Sequence, residues 1–153
     1  MLTYREANLS DIDMLKTLEQ CVIEAERPFN ESIKTEGAFY YDLVDLITQE
    51  RSAVMVGESE GKIVATGYIQ IRASKPSLDH DEHGYLGFMY VKPEFRGQGI
   101  NKIMLESLIN WGNAKGISDF YLDVYAENAS AISAYEKAGF TSSIIEMKLN
   151  TSD

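Results

Sequence analysis

Residues 91–101, VKPEFRGQGIN, constrain the fold more than any other stretch of the chain. They follow an aromatic run with strand character, 85–91. They also open a run from Gly99 to Lys115 in which Ile100, Ile103, Met104, Leu108 and Trp111 share one helical face, with Gly116 as the stop. A strand is therefore fed through a glycine turn straight into a helix start. Such a start leaves backbone N–H groups unpaired and carries the positive end of the helix dipole. Gly97 and Gly99 let that backbone approach a bulky ligand, and Arg96 adds a cation, so a pyrophosphate is the natural guest. A P-loop is excluded because no Gly-Lys-Ser/Thr run follows. A dinucleotide fingerprint lacks its third glycine, where Lys102 stands.

The rest of the chain supplies the frame. Residues 2–7 read as a strand. A helix follows, capped by Ser10 with Asp13 as its partner, with Leu15, Leu18, Val22 and Ala25 on its apolar face. A second, aromatic helix is expected over 37–47. Residues 52–57 and 62–72 form a hairpin turning at Glu60-Gly61. Beyond the glycine-turn helix come a strand over 120–125, a helix capped by Asn128 and ending at Gly139, and a strand-like run over 140–149. The order β-α-α-β-β-β-α-β-α-β predicts a mixed α/β fold in a single domain, 1–153.

Charge and cysteine usage narrow the partners. A net charge of −10 argues against nucleic acid and against an anionic membrane surface. Cys21 is the only cysteine, so no intrachain disulfide forms. With no signal-like start and no apolar run of spanning length, a cytoplasmic location is expected. The segment DHDEH, 79–83, holds both histidines, but a polar loop fixes no metal geometry, and a solvated loop without metal is the expectation.

A second stretch, NASAISAYEKAGF (128–140), joins the first in order and spacing. Together they make the chain resemble the GNAT superfamily of acetyl-CoA-dependent N-acetyltransferases. Arg96-Gly97-Gln98-Gly99-Ile100-Asn101 is similar to that family's cofactor motif, and Asn128, Ala131, Tyr135, Gly139 and Phe140 to its later signature. The resemblance implies a central, mostly antiparallel twisted sheet of six to seven strands flanked by about four helices, with the fourth and fifth strands parallel and splayed. It implies a transferase moving the acetyl group of acetyl-CoA to a primary amine of a small molecule or peptide, by direct attack in a ternary complex. A CoA-binding sensor without turnover, or an acyltransferase with another donor or acceptor, is the alternative. A monomer or homodimer is compatible with either.

The resemblance also assigns residues. The amides of Arg96, Gly97, Gln98, Gly99, Ile100 and Asn101 would hold the pyrophosphate. Met89, Tyr90 and Val91 would carry the pantetheine arm along the fourth strand, with Asn128 touching the same arm. Tyr135 would donate to the departing sulfur. Asn101 departs from the small residue usual at its position. The general base is open: the counted position on the fourth strand is Tyr85, while Glu82 or Asp123 could act through a water. Glu26, Arg27 and Phe29 fall where the acceptor pocket is expected.

Overall fold

Residues 1–152 are described by a computed structural model, in which the hairpin at Glu60-Gly61 forms the middle of the sheet. Glu60 and Gly61 have φ of 51° and 76°, and two left-handed residues give the turn twist that matches right-handed strands. This turn joins β2 (Ser52–Ser59) to β3 (Lys62–Ala73). β1 (Leu2–Glu6) lies antiparallel to β2, and β4 (Glu82–Val91) antiparallel to β3. The short β5 (Phe120–Tyr121) lies parallel to β4, giving a sheet order of β1-β2-β3-β4-β5. The four α-helices among the described residues are α1 (Ile12–Glu26), α2 (Leu43–Thr48), α3 (Ile100–Ala114) and α4 (Ala129–Lys137). The chain forms two compact units, 1–123 and the remainder from Val124, so α4 belongs to the second.

Two apolar layers sandwich the sheet of the first unit. On one face Leu15, Leu18 and Val22 of α1 and Leu43 and Leu46 of α2 cover Val54, Val56, Tyr68 and Phe88. On the other, Ile100 and Met104 of α3 meet Ala65, with Met55, Met89 and Val91 at the margin. Phe88 and Met89 thus face opposite layers, as neighbours on a strand do.

The differences from the expected elements have local causes. The strand count is five, because residues 140–149 form no strand among the described residues. Asn8, not Ser10, caps the first helical turn: its Oδ1 accepts from the Ser10 amide at 3.0 Å, while Asp11 accepts from the Asn8 amide at 2.8 Å. Asp11 stands three residues after Asn8, which is the spacing a capping box needs. α2 starts at Leu43 because Asp42 caps it through the Asp45 amide and because residues 40–41 are anchored elsewhere. The buried Glu19 carboxylate accepts the Tyr40 and Tyr41 amides at 2.5 and 2.9 Å. β5 is two residues long because its ladder with β4 ends at Tyr85–Tyr121, just before β4 bulges.

Asp11 gives the first expected result. Arg5 binds it with two guanidinium nitrogens at 2.8 and 2.9 Å. That hydrogen bonding, against the opposing effect of burial and with help from the Asn8 amide, holds the carboxyl below the usual range. The stabilisation is full above the unfolded pKa, about 3.9, and is lost as pH falls through the lowered native value. Asp11→Asn should cost about 1.5–3 kcal/mol near neutrality, towards the low end because Arg5 is partly exposed. The difference from the native chain should vanish in acid. Denaturant melts at pH 7 and then at successively lower pH, down to where the two proteins coincide, check both signs.

Candidate active site

The turn expected to hold phosphates has the required backbone. Gly97 and Gly99 have φ of 80° and 77°, and Gly99 sits at the N-cap of α3 with no side chain capping the helix. The amides of Ile100, Asn101 and Lys102 are the first-turn donors that such an end leaves without an intrahelical carbonyl. An added Cβ at Gly99 would meet nothing within 4 Å, so glycine is needed here for its left-handed backbone rather than for protein packing. These residues line one side of an open recess with Val91, Phe95 and Arg96. Arg96 Nε donates to the Val91 carbonyl at 2.9 Å, and its guanidinium lies 5.5 Å from the centre of the Tyr90 ring. The cation is thus tied to the end of β4 beside the turn. Lys102 also lines the recess, a role that its reading as a missing glycine does not reveal. A lysine in the first helical turn opposes the dipole, and that mismatch is the sequence signal that an anion belongs there.

β4 changes direction before it reaches this turn. Between Thr66 and Tyr68 of β3 there is one residue, while between their partners, Tyr90 and Gly87 of β4, there are two. Phe88 sits in the extra space with φ of 55°, a conformation that costs a non-glycine residue roughly 1–2 kcal/mol. The fully buried Thr66 hydroxyl donates to the Phe88 carbonyl at 2.8 Å and helps fix the bulge. Strained backbone of this kind concentrates at functional sites. Beyond Tyr85 the side of β4 that faced β5 has no ladder partner in β5. The expected splaying of parallel strands is therefore present, with an open stretch of β4 running towards Val91.

A row of tyrosines crosses this bulge on the α1–α2 face. Tyr41 packs 4.8 Å from Phe88 and 5.6 Å from Tyr68, ring centre to ring centre, and Tyr68 lies 6.3 Å from Tyr85. Gly87 makes this possible, since a Cβ there would come within 2.7 Å of the Tyr68 ring. Carboxylates stand at both ends of the row. Asp123 accepts from the Tyr85 hydroxyl at 2.8 Å. Glu26, at the end of α1, interacts electrostatically with Tyr41, and the nearby Tyr40 phenol favours its charged form. Burial pushes the Glu26 carboxyl up, and the nearby Tyr40 phenol only partly offsets it. Burial, then the Asp123 hydrogen bond and charge, push the Tyr85 phenol far above its ordinary range. Tyr85 therefore stays a donor. The Arg72 guanidinium covers the Tyr85 ring at 3.9 Å.

Comparison with known proteins decides the family. The model of the acetyltransferase (GNAT) family matches residues 18–140, most of the chain. The chain belongs to the GNAT acetyltransferase family. A tetramutant of the BH1408 protein from Bacillus halodurans superposes on this GNAT chain with a TM-score of 0.85, at 25% identity, over 97% of this chain and 99% of that one. A predicted acetyltransferase with acetyl-CoA from Clostridium acetobutylicum gives 0.78 at 23% identity, covering 98% and 96%, and shares the fold. A [ribosomal protein bS18]-alanine N-acetyltransferase of Escherichia coli K12 is 38% identical over 55 residues. That match spans 36% of this chain and 37% of the relative, so the chain covers little over a third of the relative's length.

The remaining candidates of this GNAT chain fall into three groups. Glu82 is exposed, pairs with Arg51, and lies six residues before Phe88, about 20 Å along an extended strand. Arg27 is engaged by Glu24 and the Lys34 carbonyl, both at 2.9 Å, and Phe29 closes the short turn that follows α1. In the second unit, the Asn128 side chain caps α4 by accepting from the Ala131 amide at 3.2 Å. Tyr135 is half-buried on α4, its ring edge-on to Phe140 at 5.9 Å. The histidines are not merely solvated. His80 bonds Asp79 at 3.1 Å and the Tyr121 hydroxyl at 3.0 Å, tying the loop before β4 to β5, and His83 of β4 bonds Ser74 at 2.9 Å, tying the start of that loop to β4. No group of three or more His, Cys, Asp or Glu among the described residues is arranged to hold a metal. No helix there is long and apolar enough to cross a membrane.

Proposed function

We propose that this chain transfers the acetyl group of acetyl-CoA to a primary amine, by direct attack in a ternary complex. The observation that carries the reading is an uncapped, left-handed glycine turn one strand-end away from a strained bulge, within a fold of this family. The pyrophosphate would sit on the amides of Ile100, Asn101 and Lys102, with Arg96 and Lys102 as counter-charges. Pantetheine would run along the open side of β4 past Val91, Tyr90 and Met89, supported by Asn128, and bring the thioester to the bulge. The amine nitrogen attacks the thioester carbonyl carbon, the C–S bond breaks, and CoA leaves as thiolate. Strand amides near Met89 would stabilise the developing oxyanion. Tyr135 would give the thiolate its proton. Glu26 would take the proton of the attacking amine, because it is partly desolvated and acts electrostatically on Tyr41, whose ring packs against Phe88 of the bulge. Asp123, bound to Tyr85, would hold the acceptor's cationic form. The family match runs across both compact units, which supports a single catalytic domain.

Gly99→Val tests the cofactor half of this reading. Valine is strained at φ near 77°, so the amides should lose their common aim. Each charge-assisted hydrogen bond lost is worth about 1.5–3 kcal/mol, so acetyl-CoA affinity should fall by about 10–100-fold per bond. Calorimetry on the folded variant reads this directly, and an unchanged affinity would remove the turn as the binding site. Thiol release across an amine library then separates the enzyme from a CoA-binding sensor.

A further inference from the structure

One buried hydroxyl sets the direction of the backbone at the bulge. Thr66 is fully buried on β3, and its Oγ1 donates to the Phe88 carbonyl at 2.8 Å. That carbonyl and the Met89 N–H belong to one peptide, which is trans. In a trans peptide the two groups point in opposite directions. With the carbonyl aimed at β3, the Met89 N–H is aimed away from β3, towards the side of β4 that has no ladder partner in β5 beyond Tyr85.

The two flanking side chains restrict this peptide further. The Phe88 ring packs 4.8 Å from Tyr41 on the α1–α2 face. The Met89 side chain crosses Gly67 on the α3 face, where an added Cβ would meet Met89 Sδ at 2.8 Å and Leu108 Cδ1 at 3.0 Å. With both side chains held, the freedom left to the peptide is rotation about its Cα–Cα axis, which swings C=O and N–H together. The Thr66 bond opposes that rotation. Phe88, with φ of 55°, needs such support, because a strained residue persists only where its surroundings over-determine it.

We infer that Thr66 is a positioning residue for acetyl transfer, its hydroxyl holding the Phe88–Met89 peptide so that the Met89 N–H meets the thioester carbonyl oxygen. The inference rests on the reading that acetyl-CoA lies along β4 with its thioester at the bulge. As the amine nitrogen bonds to the carbonyl carbon, the C=O π pair moves onto oxygen. The Met89 N–H stabilises that charge until the pair returns and the C–S bond breaks. A peptide rotated the other way would present the Phe88 oxygen there and repel the developing charge.

Thr66→Val removes the hydroxyl and keeps the branched shape. Losing an oxyanion donor outright costs about 10²–10³-fold in kcat, so mis-aiming one should cost about 10–100-fold. Acetyl-CoA affinity and the amine KM should stay within a few-fold of native. Thr66→Ser keeps the hydroxyl and should restore most of the turnover. Infrared spectra of bound, carbonyl-labelled acetyl-CoA read the same contact without turnover. The thioester C=O stretch should fall in the native chain and in Thr66→Ser, and lie near its solution value in Thr66→Val. Thr66→Ala, a second variant without the hydroxyl, should match Thr66→Val in both readouts and replaces it if valine prevents folding. Native kcat and native carbonyl frequency in a folded hydroxyl-free variant overturn the inference. So does a parallel fall of turnover, acetyl-CoA affinity and melting temperature that Thr66→Ser fails to rescue, since that marks packing alone. A native complex whose carbonyl stretch stays at the solution value overturns it too. A lowered stretch that is lost in Thr66→Val, in a chain that releases no thiol with any amine, supports the positioning role and overturns the transfer reading instead.

Discussion

Tyr135→Phe is expected to lower turnover by about 10²–10⁴-fold while leaving acetyl-CoA affinity within a few-fold of the native value. The separation follows from where the charge is. In the ground state the thioester sulfur is neutral and a phenol beside it contributes little. In the transition state sulfur becomes anionic, and only then does a donor there matter. Losing the hydroxyl should therefore depress kcat and kcat/KM together. The ring itself is kept, so its edge contact with Phe140 and the end of α4 should survive. Stopped-flow or steady-state thiol release, under conditions where chemistry limits the rate, measures the first quantity, and calorimetry the second. Full turnover in the variant would make Tyr135 a packing residue. A loss confined to binding would make it part of the cofactor pocket and leave the leaving group to water.

What is legible in the sequence is what short-range chemistry dictates. The hairpin at Glu60-Gly61, the glycine turn before α3, the cap at Asn128 and the stop at Gly139 each depend on a few adjacent residues with restricted backbone options. The parallel, splayed pair β4–β5 follows from resemblance, and its ladder is present. What stays hidden depends on residues far apart in the chain. Glu19 reads as one more helix carboxylate, yet it anchors residues 40–41 and so moves the start of α2 from the expected 37 to Leu43. The bulge at Phe88 carries no sequence mark, because phenylalanine in an aromatic strand is ordinary and only the fixed registers of β3 and β4 force the extra residue. The tyrosine row joins the segment before α2 to β3 and β4, and no local pattern aligns Tyr41, Tyr68 and Tyr85. The general base is obscure for the same reason. Glu82 is near the aromatic run in sequence, but it sits at the end of β4 away from the bulge.

Glu26→Gln is the substitution expected to change the pH dependence as well as the rate. A proton must leave the nitrogen once it has attacked, and a carboxylate on the tyrosine row can take it only when ionised. Burial raises the pKa of Glu26 above its ordinary 4.5, with the nearby Tyr40 phenol pulling part of the way back. A raised pKa makes the carboxylate a stronger base, and the ionised fraction grows as pH rises through it. The native profile of kcat/KM should thus show an acid limb set above the range of an exposed glutamate. In Glu26→Gln that limb should disappear, leaving only the deprotonation of the amine itself, and the rate at neutral pH should fall by about 10²–10⁴-fold. Glutamine keeps the shape, so acetyl-CoA affinity and thermal stability should stay near native. A structural role would lower activity equally at every pH and would shift the melting temperature. An acid limb that persists unchanged in the variant would remove Glu26 as the base.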